Sequence, residues 1–210
     1  MTTWQDVAVA IPTVGRRQRS LEPLVRQLVE QIPEARIHVI VHVEGEPARV
    51  TFPKALSYAA ASGRPWVLQL EDDVVLAPSF REEALIPEMD GADALTLFSR
   101  SRRDLEEMAK GERVRRLNPS GFSMSQGFFL RRDLAAAVEA YAPGWYERHP
   151  QHNRAADLLL GAFLSERKAR VLVRLPSLVQ HRRGPSTLPG HHGARQSESY
   201  RVAFGEIDDG

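Results

Sequence analysis

Short apolar runs alternate with amphipathic stretches through most of the chain. Val7-Ala8-Val9-Ala10-Ile11 is continuously apolar and predicts a first strand, ended by the turn residues Pro12-Thr13-Val14-Gly15-Arg16. Ser20 then precedes Leu21, Leu24, Val25, Leu28, Val29 and Ile32 at helical spacing, and Pro33 stops the pattern. Ile37 to Val43 is rich in β-branched residues and predicts a second strand, closed by Glu44-Gly45-Glu46-Pro47. A short helix over Ala55 to Ala61, stopped by Gly63 and Pro65, leads to a third buried strand, Trp66 to Leu70. Strand, helix, strand, helix, strand argues for an α/β fold with a parallel, doubly wound sheet.

The second half is less regular. Ala94 to Phe98 predicts a strand, and Gly127-Phe128-Phe129-Leu130 another. Between them, Arg100 to Arg116 is densely charged and reads as a mobile helix or lid, or simply as a solvated face. Asp133 starts a helix, 143–153 reads as irregular, and Asp157 opens an apolar helix through Leu164. Val171 to Val173 is a strand leading to Gln180-His181, and 184–210 reads as loop. There is no internal repeat.

Composition narrows the classes. With 210 residues and 42% hydrophobic content, the chain can bury a core and is not a disordered protein. Cysteine is absent, which excludes disulfides, thiolate metal sites and a cysteine nucleophile. No basic leader precedes an apolar run and no run approaches a membrane span, so the expected setting is cytoplasmic, with no membrane partner. Residues 1–99 carry 9 basic and 14 acidic side chains, and residues 100–210 carry 19 and 13, so the halves differ in sign. All but three of the 28 basic residues are arginine, a side chain that binds phosphate and carboxylate bidentately. Biased codon usage accounts for that preference equally simply.

The chemistry concentrates at Glu71-Asp72-Asp73, directly after the third strand. Adjacent carboxylates repel one another and lose hydration at the edge of a core, and a bridging cation relieves both costs. Hard oxygen donors suit Mg²⁺ or Mn²⁺. In open α/β sheets ligands bind beyond the carboxyl ends of the strands, where this triplet falls. Two readings therefore stand: a metal-bound diphosphate site, or an acidic turn in which Asp72 or Asp73 caps the next segment.

Taken in order, these features resemble GT-A glycosyltransferases, whose α/β (Rossmann-like) sandwich joins a nucleotide-binding half to an acceptor half. Gln69-Leu70-Glu71-Asp72-Asp73-Val74-Val75 and Arg174-Leu175-Pro176-Ser177-Leu178-Val179-Gln180-His181, followed by Ser186-Thr187-Leu188, resemble the N-acetylglucosaminyltransferase IV family. Ser125-Gln126-Gly127-Phe128 and the Asp157-Leu158-Leu159-Leu160 helix sit at similar relative positions. Where that family has a second carboxylate one turn into the helix, this chain has Gly161.

The resemblance implies one GT-A-like domain over 1–188, with a donor half at 1–99, an acceptor half at 100–188 and a flexible tail at 189–210. It implies a metal-dependent, inverting transfer from a nucleotide sugar, with a UDP-sugar as expected donor, to a hydroxyl acceptor. Asp73 and His181 would ligate a divalent metal (Mn or Mg). Glu71 would reach the ribose or a metal-bound water, and Asp72 would stand behind them. Pro12, Thr13 and Gly15, with Glu44 or Glu46, would hold the base and ribose, and Arg16 or Lys54 the phosphates. Asp157 would be the base that takes the acceptor proton. Gln126, Gly127, Trp145, Arg182 and Arg183 would line the acceptor side, although aromatics such as Trp145 are more often core.

The acceptor reads as a glycan or small molecule, or as a hydroxylated base in DNA; the arginines of the second half favour a polyanion, although no nucleic-acid motif is present. Two other functions compete. A sugar-phosphate nucleotidyltransferase shares the layout, but the loop after the first strand is poor in glycine. A non-catalytic nucleotide- or nucleic-acid-binding protein would not depend on Asp157.

Overall fold

The computed structural model describes residues 2–15, 18–43, 48–122, 125–152, 155–182 and 196–207. Strand alternation sets the layers. β1 (Val7–Val14) buries Val7, Val9 and Ile11 in one core and Ala8 and Ala10 in another, on opposite faces of the sheet. The larger residues meet Leu21, Leu24 and Leu28 of α1 (Gln18–Gln31). The alanines leave room for α2 (Ala48–Ala60), which brings Phe52, Ala55, Leu56 and Ala59 close to the sheet. β2 (Arg36–His42) and β3 (Trp66–Leu70) flank β1, both parallel to it.

After β3 the chain makes β4 (Val74–Leu76), α3 (Phe80–Glu83), β5 (Ala94–Thr96), α4 (Arg103–Ala109), β6 (Val114–Leu117) and β7 (Gly127–Arg131). Then follow α5 (Arg132–Arg148), α6 (Ala156–Glu166), β8 (Val171–Arg174), β9 (Val179–His181) and α7 (Glu198–Phe204). The main sheet has seven strands in the order β2-β1-β3-β7-β5-β8-β6. It is mostly parallel, as expected, with β7 and β6 running against the rest. β4 and β9 form a separate two-stranded ladder.

Several elements depart from the sequence expectation, each for a tertiary reason. α5 continues through Pro143 to Arg148, where an irregular segment was expected. Leu134, Ala135, Val138, Ala142, Trp145 and Tyr146 form a continuous buried stripe. Burying two aromatics outweighs the roughly 3 kcal/mol that an interior proline costs. α2 likewise begins before Pro53 rather than at Ala55. The charged 100–116 stretch holds α4 and then β6, an edge strand in which Arg115 and Arg116 pair with Val173 and Leu172. Charge on an edge strand is a common guard against aggregation, and it hides the apolar period that identifies strands. The expected tail contains α7, whose Tyr200 is buried against the same core as α1.

Candidate functional site

β3 delivers the acidic triplet to the rim of the sheet. The Glu71 N–H donates to the Gln126 carbonyl at 3.1 Å, extending the β3–β7 pairing by one residue. The three carboxylates then part company. Asp72 is buried, at 4% exposure, and its Oδ2 accepts a 2.6 Å hydrogen bond from the Thr13 hydroxyl at the end of β1. Glu71 and Asp73 stay half-buried. Asp72 therefore ties the acidic turn to the neighbouring strand.

The third group arrives from far along the chain. In the β4–β9 ladder Val74 faces His181, and the Arg182 N–H donates to the Asp73 carbonyl at 2.9 Å. This register puts His181 Nε2 at 3.3 Å from Asp73 Oδ2. On the other side of the ring, Nδ1 lies 2.7 Å from the Arg182 carbonyl. A carbonyl only accepts, so Nδ1 carries a proton and Nε2 is the nitrogen turned toward the carboxylates.

One donor atom each from Glu71, Asp73 and His181 lie within 4.8 Å of one another. Two carboxylate oxygens and an imidazole nitrogen fit a divalent ion that accepts mixed oxygen and nitrogen donors, and Nδ1 is already held by a backbone carbonyl, as ligating histidines usually are. Burial by itself pulls the His181 pKa down. The hydrogen bond and charge of Asp73, the Arg182 carbonyl and the charge of Glu71 more than offset it, so the net direction is up.

Of the supports of this site, Ser125, Ser177 and Gln180 fall in motifs that the sequence singled out, whereas Gln196, Ser197 and Ser199 lie in the stretch read as loop. Glu71 accepts a 2.6 Å hydrogen bond from Ser125 Oγ. Gln180, 1% exposed, donates from Nε2 to the Ser197 carbonyl (3.2 Å) and accepts from the Ser197 N–H (2.9 Å). Gln196 Nε2 donates to the His181 carbonyl at 2.7 Å. The Ser197 and Ser199 hydroxyls both meet Ser177 Oγ. The segment before α7 is thus clamped on the strand that carries His181.

The remaining expected residues are spread over several elements. Pro12 and Gly15 flank Thr13 at the end of β1, and Lys54 sits half-buried on α2. Gln126 is buried beside Glu71. Gly127 has a packing role: a Cβ there would meet Val179 Cγ2 at 3.0 Å and Leu70 Cδ2 at 3.1 Å. Arg182 acts here through its backbone, holding both Asp73 and the His181 ring. Trp145, expected at the acceptor, packs in the core at 4% exposure, edge-on to Tyr146 and stacked on His149. The buried stripe of α5 draws it inward. Asp157 lies in the first turn of α6, and its Oδ1 accepts from the Leu158 N–H at 2.9 Å. It sits close enough to Tyr146 to act on that hydroxyl, which is pushed up to about 12 by burial first, with Arg49 opposing and Asp157 adding. Arg16, Glu44, Glu46 and Arg183 lie outside the described residues.

Among the described residues, no helix is long and apolar enough to cross a membrane. No protein-family model matches the sequence, and no curated protein matches it. Solved structures do resemble the fold. Protein A197 from STIV matches with a TM-score of 0.50 at 14% identity, over 85% of this chain and 86% of that one. A glycosyltransferase involved in the glycosylation of the major capsid of PBCV-1 matches with a TM-score of 0.46 at 13% identity, over 85% and 94%. A nucleoside-diphosphate-sugar pyrophosphorylase from Vibrio cholerae RC9 matches with a TM-score of 0.44 at 11% identity, over 83% and 75%. At such identities the likeness concerns the fold alone.

Proposed function

We propose that this protein is a GT-A-like, metal-dependent glycosyltransferase that moves a sugar from a nucleotide-sugar donor to a hydroxyl acceptor with inversion. The observation that carries the reading is the convergence of Glu71, Asp73 and His181 at the carboxyl end of β3, within 4.8 Å of one another. Asp73 and His181 would hold a divalent ion, with Glu71 beside them. Bound there, the ion would neutralise charge gathering on a diphosphate leaving group. Asp72 and Thr13 lock the turn so that the two outer carboxylates keep their spacing. Pro12 and Thr13 at the end of β1, with Gly15 just after it, would border the nucleoside. Asp157, held at the start of α6, is the proposed base that accepts the proton of the attacking hydroxyl.

The test is a thermal-shift and turnover screen of nucleotide sugars with Mn²⁺ or Mg²⁺. A ligand that binds only the folded chain raises its melting temperature by mass action. The expected result is metal-dependent stabilisation by a UDP-sugar, absent in Asp73→Ala, with slow release of free UDP. Equal stabilisation of Asp73→Ala, or none by any nucleotide sugar, overturns the reading. Pyrophosphate release from a nucleoside triphosphate and a sugar phosphate would assign the site to nucleotidyl transfer instead.

A further inference from the structure

The two edges of the main sheet are finished differently. One edge is β6, four residues long and carrying Arg115 and Arg116, so its length and charge discourage pairing with another chain. The other edge is β2, seven residues long, of which Ile37, Val39, Ile40 and Val41 are β-branched. Apart from two histidines, Arg36 is its only ionisable side chain. Among the described residues β2 pairs with β1 alone, so its outer row of backbone N–H and C=O groups faces away from the sheet.

Exposed apolar side chains gather at this edge. Four of the seven large hydrophobic side chains exposed among the described residues lie on β2 or against it. Val39, Val41 and Val43, at 39%, 42% and 54% exposure, alternate along the strand and share one face of the sheet with Ile37. That is the face of α1, but α1 is drawn the other way, toward β4. Its Gln27 Oε1 accepts from the Leu76 N–H at 3.2 Å, and its Gln31 Nε2 donates to the Ala77 carbonyl at 3.3 Å. The valines therefore stay open. On the opposite face Ile40 packs into the core under α2, and Tyr58 of α2, 62% exposed, stands edge-on to His38 at 5.4 Å. Apolar surface thus flanks the bare backbone on both faces. A strand added to this edge covers all three, whereas a body docked on the valines alone leaves the backbone and Tyr58 in water.

A second copy of this chain fits that description. In antiparallel pairing about a two-fold axis, opposed residues have numbers of constant even sum, so the valine face of one copy meets the valine face of the other. Centred on Val39, the pairing sets Ile37 against the partner's Val41 and Arg36 against the partner's His42, with no two arginines opposed. Centred on Ile40, it sets Val39 against the partner's Val41. Either contact is isologous and closes at two subunits. Head-to-tail pairing of β2 with β6 instead brings the β6 arginines to an edge whose one formal charge is already positive, and it leads to an open filament.

We infer that this protein forms a symmetric dimer in which the β2 strands of two copies pair antiparallel and join their sheets into one. The inference is independent of the transferase reading. The experiment is sedimentation equilibrium of the full chain and of Val39→Lys/Val41→Lys, with hydrogen exchange of the wild type at high and low protein concentration. In either register the substitutions set lysines opposite one another, and both positions are exposed in the single chain, so the variant should keep its native circular dichroism. The expected result is a wild type of twice the mass of one chain and a variant of the mass of one chain. Amides of β2 should lose protection on dilution of the wild type while those of β1 keep it. A wild type that stays monomeric at every concentration overturns the inference, and so does a dimer that survives in the variant. Assembly that grows beyond two copies assigns the edge to an open contact and also overturns it. Should the variant fail to fold, β2 protection that does not change with wild-type concentration is sufficient to refute the dimer.

Discussion

His181 Nε2 stands 3.3 Å from Asp73 Oδ2 because a two-stranded ladder sets Val74 opposite His181. The pairing is fixed by backbone hydrogen bonds, including Arg182 N–H to the Asp73 carbonyl at 2.9 Å. The imidazole is also oriented from behind, through Nδ1 and the Arg182 carbonyl. A site held this way loses little entropy on loading, because its donor atoms are already gathered.

The pH dependence follows from the raised His181 pKa. Without metal, the folded chain holds this proton more tightly than the unfolded chain, whose value is near 6.5. The resulting stability is fully present below that value and is lost as pH rises through the higher folded pKa. A metal needs the unprotonated ring, so affinity runs the other way and falls as pH drops through the same window. Mn²⁺ titration at several pH values from about 6 to 8 should show affinity rising with pH. His181→Gln should bind more weakly and with a flatter profile, and an equally steep profile in that variant would refute the assignment.

Asp72 and Asp73 should separate in mutation. Asp72→Ala removes a buried acceptor from the Thr13 hydroxyl, at a cost of about 1–3 kcal/mol in stability. Asp73→Ala removes a donor from the trio and should abolish most Mn²⁺ binding with a smaller loss of stability. Chemical denaturation and calorimetry on both variants check the contrast. Loss of metal binding in Asp72→Ala at unchanged stability would reverse the two roles.

Gly161 marks a place where no side chain fits. A Cβ there would meet the Phe122 carbonyl at 3.0 Å and the Pro119 carbonyl at 3.2 Å, both rigid backbone groups. α6 lies directly on the turn Pro119–Gly121, which a larger residue would push away. Gly161→Ala should destabilise the fold by roughly 1–3 kcal/mol despite the better helix propensity of alanine. Gly161→Glu, which would supply the second carboxylate expected from the family resemblance, should fail to fold. A melting temperature for Gly161→Ala at or above that of the wild type would show the contact to be soft.

Gln180 links the C-terminal segment to the site. Gln180→Ala leaves the buried Ser197 N–H and carbonyl without this partner, which costs about 1–3 kcal/mol. Because Gln196 also holds the His181 carbonyl, loosening the clamp should weaken Mn²⁺ binding several-fold while circular dichroism remains native. Metal affinity equal to the wild type in a measurably destabilised variant would show the clamp to be purely structural.

The first half of the chain was largely legible in the sequence. β1 and β3 lie on or within one turn of the runs that announced them, since a strand buried on both faces needs continuous apolar residues. The acidic triplet was visible because such a run stops abruptly at three charges. β4, β6, α7 and the continuation of α5 past Pro143 were not legible. Each is short, charged or interrupted, and is stabilised by partners distant in sequence rather than by its own pattern.

The sequence alone determined that Glu71-Asp72-Asp73 ends a buried strand in an α/β chain, because apolar periodicity is a local property. Only the tertiary structure decided how Asp72 is turned away to Thr13 and how closely Glu71, Asp73 and His181 converge. Those outcomes depend on the register of β4 against β9 and on the pairing of β3 with β1. Both pairings are set by hydrogen bonds between residues far apart in the chain, and their specificity arises only when the sheet closes.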